Sequence, residues 1–127
     1  MNIQFDNRIE IIPREDVDSI TEEGIVPVSG KNLDAILAEN DLVPTDTPDE
    51  INGNPYYGQS LKIVTHKLEP TLAMKYRNRR PVIVQLHRSD NTILIWGDPE
   101  IPVRVTFTPY PGHDVLELTR NSTTPLL

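Results

Sequence analysis

The three histidines, His66, His87 and His113, are the side chains best suited to proton transfer near neutral pH. They lie on different segments, so a shared site requires the fold to bring them together with an acidic partner. None has the spacing of a metal motif, because H-E-x-x-H, H-x-H and E-x-x-H are all absent. We therefore expect ordinary histidines on strands or turns. A histidine-dependent hydrolase or metalloenzyme is the least favoured of three functional hypotheses.

Other catalytic signatures are missing from the sequence. No serine stands in a G-x-S-x-G turn, and the six glycines form neither G-x-x-x-x-G-K nor G-x-G-x-x-G. Cysteine is absent, which excludes disulfides, thiolate metal ligands and cysteine nucleophiles. Adjacent carboxylates such as Glu22-Glu23 and Asp49-Glu50 lie in acidic, loop-like stretches and are interpreted as solubilising charge. We expect a protein that is not an enzyme and that has no cofactor or metal.

The segment 75–80, KYRNRR, is the one local patch whose composition could bind phosphate, and its tyrosine could stack on a base. The whole chain, however, has a formal net charge of -7, which repels a polyanion at long range. We therefore expect contact with an acidic protein surface and no binding of nucleic acid. The residues predicted to take part in protein interaction are Lys75, Arg77, Arg79, Arg80, Trp96 and Arg104.

The charge is divided unequally along the chain. Residues 1–55 contain 13 acidic and 3 basic residues, net -10, and residues 56–127 contain 6 acidic and 9 basic residues, net +3. The two halves should attract each other, either within one chain or between neighbouring copies, and such attraction orients a contact. Two solvated faces with no shared role are the alternative interpretation.

Alternation of apolar and polar residues predicts strands in the second half of the chain. The apolar positions Ile101, Val103, Val105 and Phe107 alternate with proline or polar residues, which is the pattern of a strand with one buried and one wet face. A short helix is predicted at 69–79, with Pro70 in its first turn. The other predicted strands are 56–68, 81–88, 92–96 and 115–120, with a hairpin between the second and third of these.

The first half shows weaker patterns. Residues 3–13 resemble one or two strands, and the acidic residues 14–24 are expected to form a loop or an irregular helix. A helix is predicted at 31–41, because Leu33, Ile36 and Leu37 share a face at helical spacing. Residues 42–55 combine proline, aspartate, threonine, asparagine and glycine, which indicates an extended linker or a long loop.

Together these elements predict a single α+β, mainly β domain over residues 1–127. It should consist of an antiparallel sheet or sandwich from residue 56 onward, one or two short helices, and an acidic, loop-rich segment at 1–55. The 12 prolines, which fall mostly between apolar runs, favour short strands and firm turns. The sequence contains no signal-like segment and no stretch long enough to span a bilayer, so we expect no membrane contact and a cytoplasmic or virion location.

Trp96 stands directly before Gly97-Asp98-Pro99, where we expect one strand to end and the chain to turn. A tryptophan in this position is more often a core or rim anchor than a ligand platform. The second functional hypothesis is nevertheless a small β-sheet module that binds a peptide, a carbohydrate or another small ligand. Its shallow groove would be lined by Trp96, Tyr56, Tyr57 and Tyr110.

The C-terminal half contains RRPVIVQLHRSDNTILIWGDPEIPVRVTF, followed after a turn by DVLELTRNSTTPLL. This half resembles small virion proteins of phages and prophages of gut Bacteroides-type bacteria. In those proteins a strand pair ends near a G-[SD]-P-E-x-P turn, another strand follows, and the chain closes on an apolar-polar strand. The residues that match this turn are Gly97, Asp98, Pro99, Glu100 and Pro102.

The resemblance implies a structural role in the tail or neck of a virion, with no catalytic residues. Virion proteins that form rings need a compact β module, extended segments that reach a neighbour, and opposite charges on the surfaces that meet. The chain combines a β module, a predicted loop-rich arm and a division of charge. The leading hypothesis is therefore a non-enzymatic structural protein that forms a homo-oligomer and contacts other virion proteins.

Overall fold

The computed structural model describes residues 4–126. In this part of the chain there are ten strands, one α-helix and one 3₁₀ helix. The strands are β1 (Phe5–Pro13), β2 (Val17–Thr21), β3 (Gly24–Pro27), β4 (Asp34–Leu37), β5 (Thr45–Ile51), β6 (Asn54–Thr65), β7 (Pro81–Arg88), β8 (Ile93–Trp96), β9 (Val103–Tyr110) and β10 (His113–Ser122). The α-helix is α1 (Pro70–Lys75), and the 3₁₀ helix is Arg14–Asp16. With 58% strand and 7% helix, the prediction of an α+β, mainly β fold is confirmed.

Eight strands form one antiparallel sheet in the order β4-β1-β7-β9-β10-β6-β5, with β8 also paired to β7. Strand β7 pairs with three other strands of this sheet. Its one edge pairs with β1, while its other edge pairs first with β9, at Pro81 and Val82, and then with β8, from Val84 to His87. The sheet therefore divides at β7 into the layers β4-β1-β7-β8 and β9-β10-β6-β5, whose buried side chains form one shared core.

Period-two alternation directs the apolar side chains into this core. On β9, Val103 and Val105 are fully buried, whereas Arg104 and Thr106 between and beside them are exposed. The same alternation holds along β6 and β10. The other buried strand residues of the cluster are Ile9, Ile11, Ile36, Leu61, Ile63, Val82, Val84, Leu86, Trp96, Leu116 and Leu118.

The segment that follows β4 closes the core on its remaining side. The backbone N–H of Ala38 donates to the carbonyl of Asn7 in β1, and the N–H of Glu39 donates to the carbonyl of Val64 in β6, both at 2.7 Å. The side-chain oxygen of Asn40 accepts a hydrogen bond from the N–H of Val64 at 2.9 Å. These bonds connect β1 and β6, which are far apart in the strand order.

The β2–β3 hairpin covers the outer face of the first layer. Ile25 of the hairpin packs with Ile12 and Ile83 in a second apolar cluster. The backbone N–H of Ile25 also donates to Oε1 of the buried Gln85 at 2.9 Å. Gly24 lies so close to this amide that a Cβ added to it would be 2.5 Å from the same oxygen, and its φ is +128°. Glycine is therefore required where the hairpin meets the sheet.

The prediction of a helix at 31–41 is wrong. Its centre is strand β4, which pairs with β1 through Ile36 and Ile9, among other residues. Ile36 is buried and Leu37 is 64% exposed, so consecutive side chains point to opposite sides, as in a strand. A helix of this length is marginal in water. The edge of β1 offers the same residues backbone hydrogen bonds along one side and a core position for Ile36.

The prediction of an extended linker or a long loop at 42–55 is also wrong. Strand β5 pairs with β6 up to Ile51 and Asn54, which leaves Asn52-Gly53 as a two-residue turn. Both turn residues have positive φ, 52° and 81°, as a type I′ hairpin turn requires. The first 55 residues are thus not loop-rich, because β1, β4 and β5 are strands of the main sheet.

The predictions for the second half agree with the structure. Strands β6 to β10 lie at the predicted places, β7 and β8 form the predicted hairpin, and α1 begins at Pro70. The predicted strand at 3–13 is β1, which begins at Phe5; Gln4 is not part of a strand, and Ile3 lies outside the described residues. In 14–24, the 3₁₀ helix is followed by β2 and the turn into β3 instead of a loop or an irregular helix.

Candidate interaction surfaces

A shallow groove of about 350 Å³ lies where β9 begins and β10 ends. We call it the arginine groove. Cross-strand pairing places Arg104 of β9 beside Thr119 of β10, and the loop before β9 supplies the apolar pair Ile101 and Pro102. Three arginines and one glutamate give the lining a net charge of +2. The lining residues are Arg79, Glu100, Ile101, Pro102, Arg104, Thr119, Arg120 and Asn121.

The Gly-Asp-Pro-Glu turn shapes one side of this groove through hydrogen bonds. The carboxylate of Asp98 accepts from the N–H of Glu100 at 2.9 Å and of Ile101 at 2.8 Å. Arg120, whose side chain is largely buried, donates to the same carboxylate at 3.1 Å and to the carbonyl of Ile101 at 2.8 Å. Gly97 has a φ of +96°, and a Cβ there would lie 3.1 Å from a core valine. The turn therefore holds Ile101 in a fixed position at the mouth of the groove.

Arg79 and Arg104 present positive charge in the groove without an ion-pair partner among the described residues. Both side chains are exposed, and neither forms an ion pair with another residue in 4–126. Arg104 points outward from β9 by strand alternation. Arg79 is carried by a loop in which Asn78 and Arg79 both have positive φ, 64° and 55°. An exposed guanidinium that forms no ion pair is available to an external acidic group.

The predicted interaction residues of the basic run do not act as one patch. Lys75 donates to Asp34 at 2.7 Å, and Arg80 donates to Glu15 at 2.6 Å. The hydrogen bond from Arg80 holds the pKa of Glu15 below its ordinary value. Only Arg77 and Arg79 of the run remain exposed without an ion pair within 4–126. Of the predicted residues, the groove brings together Arg79 and Arg104.

Arg120 was missed by sequence reasoning. It follows a run of alternating residues at the end of a strand, where nothing in the local pattern distinguishes it from any other strand arginine. Its role depends on Asp98, which is 22 positions earlier in the chain. A contact at that separation leaves no short-range signal.

Trp96 is not an interaction residue. It is 1% exposed and belongs to the main core, and its indole N–H donates to Oε1 of Gln59 at 2.8 Å. Gln59 is 2% exposed and donates through its amide nitrogen to the carbonyl of Thr124 at 2.9 Å. The alternation of β8 directs Trp96 inward, where it links the core to the C-terminal segment. The prediction that it contacts another protein is therefore wrong.

The aromatic groove proposed for a ligand-binding module is not formed. Trp96 is buried, and the tyrosines lie at opposite ends of the second layer. Tyr57 pairs with Ser122 at the end of β10, whereas Tyr110 pairs with His113 at its beginning. Trp96 and the tyrosines therefore do not line one groove, as the hypothesis of a ligand-binding module required.

The three histidines have three separate environments. Nδ1 of His66 is 2.7 Å from Glu39, His87 contacts Glu10 on the outer face of β7 and β1, and the ring of His113 stacks on Tyr110 with centroids 5.0 Å apart. In residues 4–126, no group of three or more histidine and acidic side chains is arranged to hold a metal ion.

Among residues 4–126, Asp114 is the one buried carboxylate near a histidine, and its contacts are structural. It accepts a hydrogen bond from Nζ of Lys67 at 2.6 Å and from the N–H of Leu68 at 2.8 Å. Burial raises the pKa of Asp114, but these two hydrogen bonds and the charge of Lys67 outweigh it and hold the pKa below the ordinary value. Asp114 is therefore ionised, and its carboxylate holds the segment between β6 and α1 in place.

The hairpin of β5 and the first residues of β6 forms a second distinctive surface, which we call the acidic arm (residues 45–57). Pairing of β6 with β10 ends at Tyr57, whereas pairing with β5 continues to Asn54. The arm thus extends about 10 Å beyond its neighbour β10, at about 3.3 Å per residue. Every side chain from 47 to 55 is exposed. The arm contains Asp46, Asp49 and Glu50 and no basic residue.

No protein-family model matches the chain, and no curated protein and no solved structure matches it either. The resemblance of the C-terminal half to small virion proteins stays a prediction from the sequence. Among the residues described, 4–126, no helix is long and apolar enough to cross a membrane.

Proposed function

We propose that the chain is a non-enzymatic structural protein of a phage or prophage virion, in the tail or neck, and that it acts by self-association and by contact with neighbouring virion proteins. The acidic arm is the observation that carries this proposal. Its backbone is held by the ladder between β5 and β6, yet its side chains from 47 to 55 are exposed. A rigid segment that projects from the body of a domain is suited to reach a neighbouring subunit.

Two further observations support an assembly role. The arginine groove offers cations without an internal partner, which favours a contact with an acidic protein surface. Of the residues that carry the resemblance to small virion proteins, Glu100 and Pro102 line that groove, and Asp98 accepts hydrogen bonds from the backbone N–H groups of Glu100 and Ile101. The residues of the resemblance and the residues available for contact therefore belong to the same surface.

Self-association is tested by the absolute mass in solution, measured by light scattering after gel filtration at low and high salt and over a range of concentrations. We expect a defined oligomer whose mass decreases at high salt, because exposed charges are screened over about 10 Å at 0.1 M ionic strength. A protein that stays monomeric at low salt up to its highest soluble concentration contradicts this part of the proposal.

The virion role needs a separate experiment. Particles induced from the strain that encodes the chain can be purified and labelled with an antibody against it. Label on the tail or neck is the expected result. Particles that lack the chain, by labelling and by mass spectrometry of their proteins, rule the role out.

A further inference from the structure

The acidic arm and the arginine groove match each other in charge and in apolar character. The arm presents Asp49, Glu50 and, directly beside them, Ile51, which is 58% exposed. The groove presents two cations without an internal partner beside Ile101, which is 45% exposed. Exposed apolar side chains flanked by charges of opposite sign are typical of small protein–protein contacts.

The carboxylate of Asp49 is oriented within the arm. Tyr56, its cross-strand partner, donates its hydroxyl to Oδ2 of Asp49 at 3.1 Å, and the N–H of Glu50 donates to Oδ1 at 2.8 Å. Both donors are neutral, so the negative charge is not compensated. Glu50 makes no ion pair with any residue in 4–126. The tip therefore presents one carboxylate held by hydrogen bonds, that of Asp49, and a second exposed carboxylate, that of Glu50, to an external cation.

The arm extends past the groove of its own chain. Residues 119–121 of the groove pair with residues 58–60 of β6, and the tip lies further along β6 at the same end of the sheet, beyond the last β10 pair at Tyr57, at Asn54. To reach its own groove, the tip would have to leave the β5–β6 ladder and bend back across β10. The geometry favours a groove on another molecule.

Strand addition at the edge of the sheet is a poor alternative. Strand β5 is the edge strand on this side, and Pro48 in its middle has no N–H to donate to an added strand. The exposed acidic residues of β5 also repel an identical edge. A contact through the side chains of the tip is therefore favoured over pairing of backbones.

We propose that the acidic arm of one copy docks in the arginine groove of a second copy, with Asp49 on one face of the hairpin and Glu50 on the other beside Arg79 and Arg104, and with Ile51, which shares the face of Asp49, against Ile101. This inference rests on the self-association proposed above and names its surfaces. The two surfaces differ, so each contact leaves one free arm and one free groove unless the assembly closes as a reciprocal dimer or a ring. A contact with a hairpin tip buries little surface, below about 1,200 Å² in total, and so is weak unless it is repeated around a closed assembly.

Charge exchange between the two surfaces tests the docking. Glu50→Lys reverses the charge of one arm residue, and Arg104→Glu reverses the charge of one groove residue; both side chains are exposed, so the fold should tolerate the changes. Each variant alone places like charges together and should self-associate about tenfold more weakly than the unaltered protein at low salt. An equimolar mixture of the two variants should recover the mass, because the lysine introduced in one arm then meets the glutamate introduced in the groove of the other variant, and the unaltered arm of the second variant meets the unaltered groove of the first.

Matched controls make the same charge changes elsewhere. Glu23→Lys alters an exposed acid of the β2–β3 turn, and Arg77→Glu alters an exposed arginine of the basic run. Both should associate like the unaltered protein, and sedimentation velocity with circular dichroism measures mass and folding together. If the reversals act no differently from the controls while the unaltered protein still forms oligomers, the docking is wrong and self-association stands.

The mixture decides between docking in a second copy and docking in the same chain. Failure of the mixture to recover mass, when each variant alone has lost it, overturns the contact between arm and groove of different molecules. An unaltered protein that is monomeric under every condition overturns the proposed self-association itself, and the docking with it.

Discussion

The buried hydrogen bond between Trp96 and Gln59 can be tested by a double-mutant cycle. Gln59→Leu nearly conserves volume but removes the acceptor of the indole N–H, which lies in the core. A buried donor left without a partner costs about 1–3 kcal/mol, and the lost bond to Thr124, at a more exposed site, costs about 0.5–1.5 kcal/mol. We therefore expect Gln59→Leu to lower the free energy of unfolding by about 2–4 kcal/mol.

The second change, Trp96→Phe, removes the indole donor. In that background Gln59→Leu should cost about 1–3 kcal/mol less, because no buried N–H is left without a partner. The assay is urea denaturation followed by far-UV circular dichroism, since Trp96 is the only tryptophan and its fluorescence is lost in the variant. Gln4→Leu, at an exposed position, is the control and should change stability by less than about 0.5 kcal/mol. Equal costs of Gln59→Leu with Trp and with Phe at position 96 would refute the reasoning.

Three other contacts can be tested by stability and titration. Gly24→Ala should lower the free energy of unfolding by about 1–3 kcal/mol in urea denaturation, because the added Cβ meets Gln85. Gly30 also has positive φ but open space around it, so Gly30→Ala should lower the free energy of unfolding less. Equal effects would contradict a clash at Gly24. Burial, and secondly the hydrogen bond to Asp34, raise the pKa of Tyr76 far above 10.0. Tyr76 should therefore not ionise in the folded protein, and Tyr76→Phe should leave its tyrosinate absorbance unchanged in an alkaline titration. Loss of one tyrosine ionisation step in the variant would contradict this. The folded pKa of Asp114 lies below its ordinary 3.8, so its stabilisation is present above pH 3.8 and is lost as the pH falls through the folded pKa. Asp114→Asn should therefore be less stable near neutral pH and lose less stability in acid, and parallel pH profiles of urea denaturation would show that the charge is unimportant.

The sequence determined the parts of the fold that depend on neighbouring residues. Alternation along 101–108 predicted β9, and 115–120 was predicted as the last strand, β10; each strand has one face in the core and one in water. Pro70 predicted the beginning of α1, since its missing N–H is not needed in a first helical turn. The turn Asn52-Gly53 was equally readable as a hairpin signal, and its composition was mistaken for that of a linker.

The site could be predicted only in part. Arg79 and Arg104 were expected to contact another protein, and the fold brings them into one groove. Lys75 and Arg80, from the same basic run, instead pair with Asp34 and Glu15, which are 41 and 65 positions away. The local run of charge could not distinguish the arginines that remain available from those with an internal partner.

Tertiary structure decided everything that depends on residues far apart in the chain. Residues 31–41 have a helical pattern, but the free edge of β1 makes them a strand, because a short helix is marginal and an open edge supplies hydrogen bonds. Trp96 is enclosed because both layers of the sheet and Gln59 meet around it. Periodicity reports the environment of a residue relative to its neighbours along the chain. The partner of a charge, and the surface left free for another molecule, follow from contacts that only the folded chain creates.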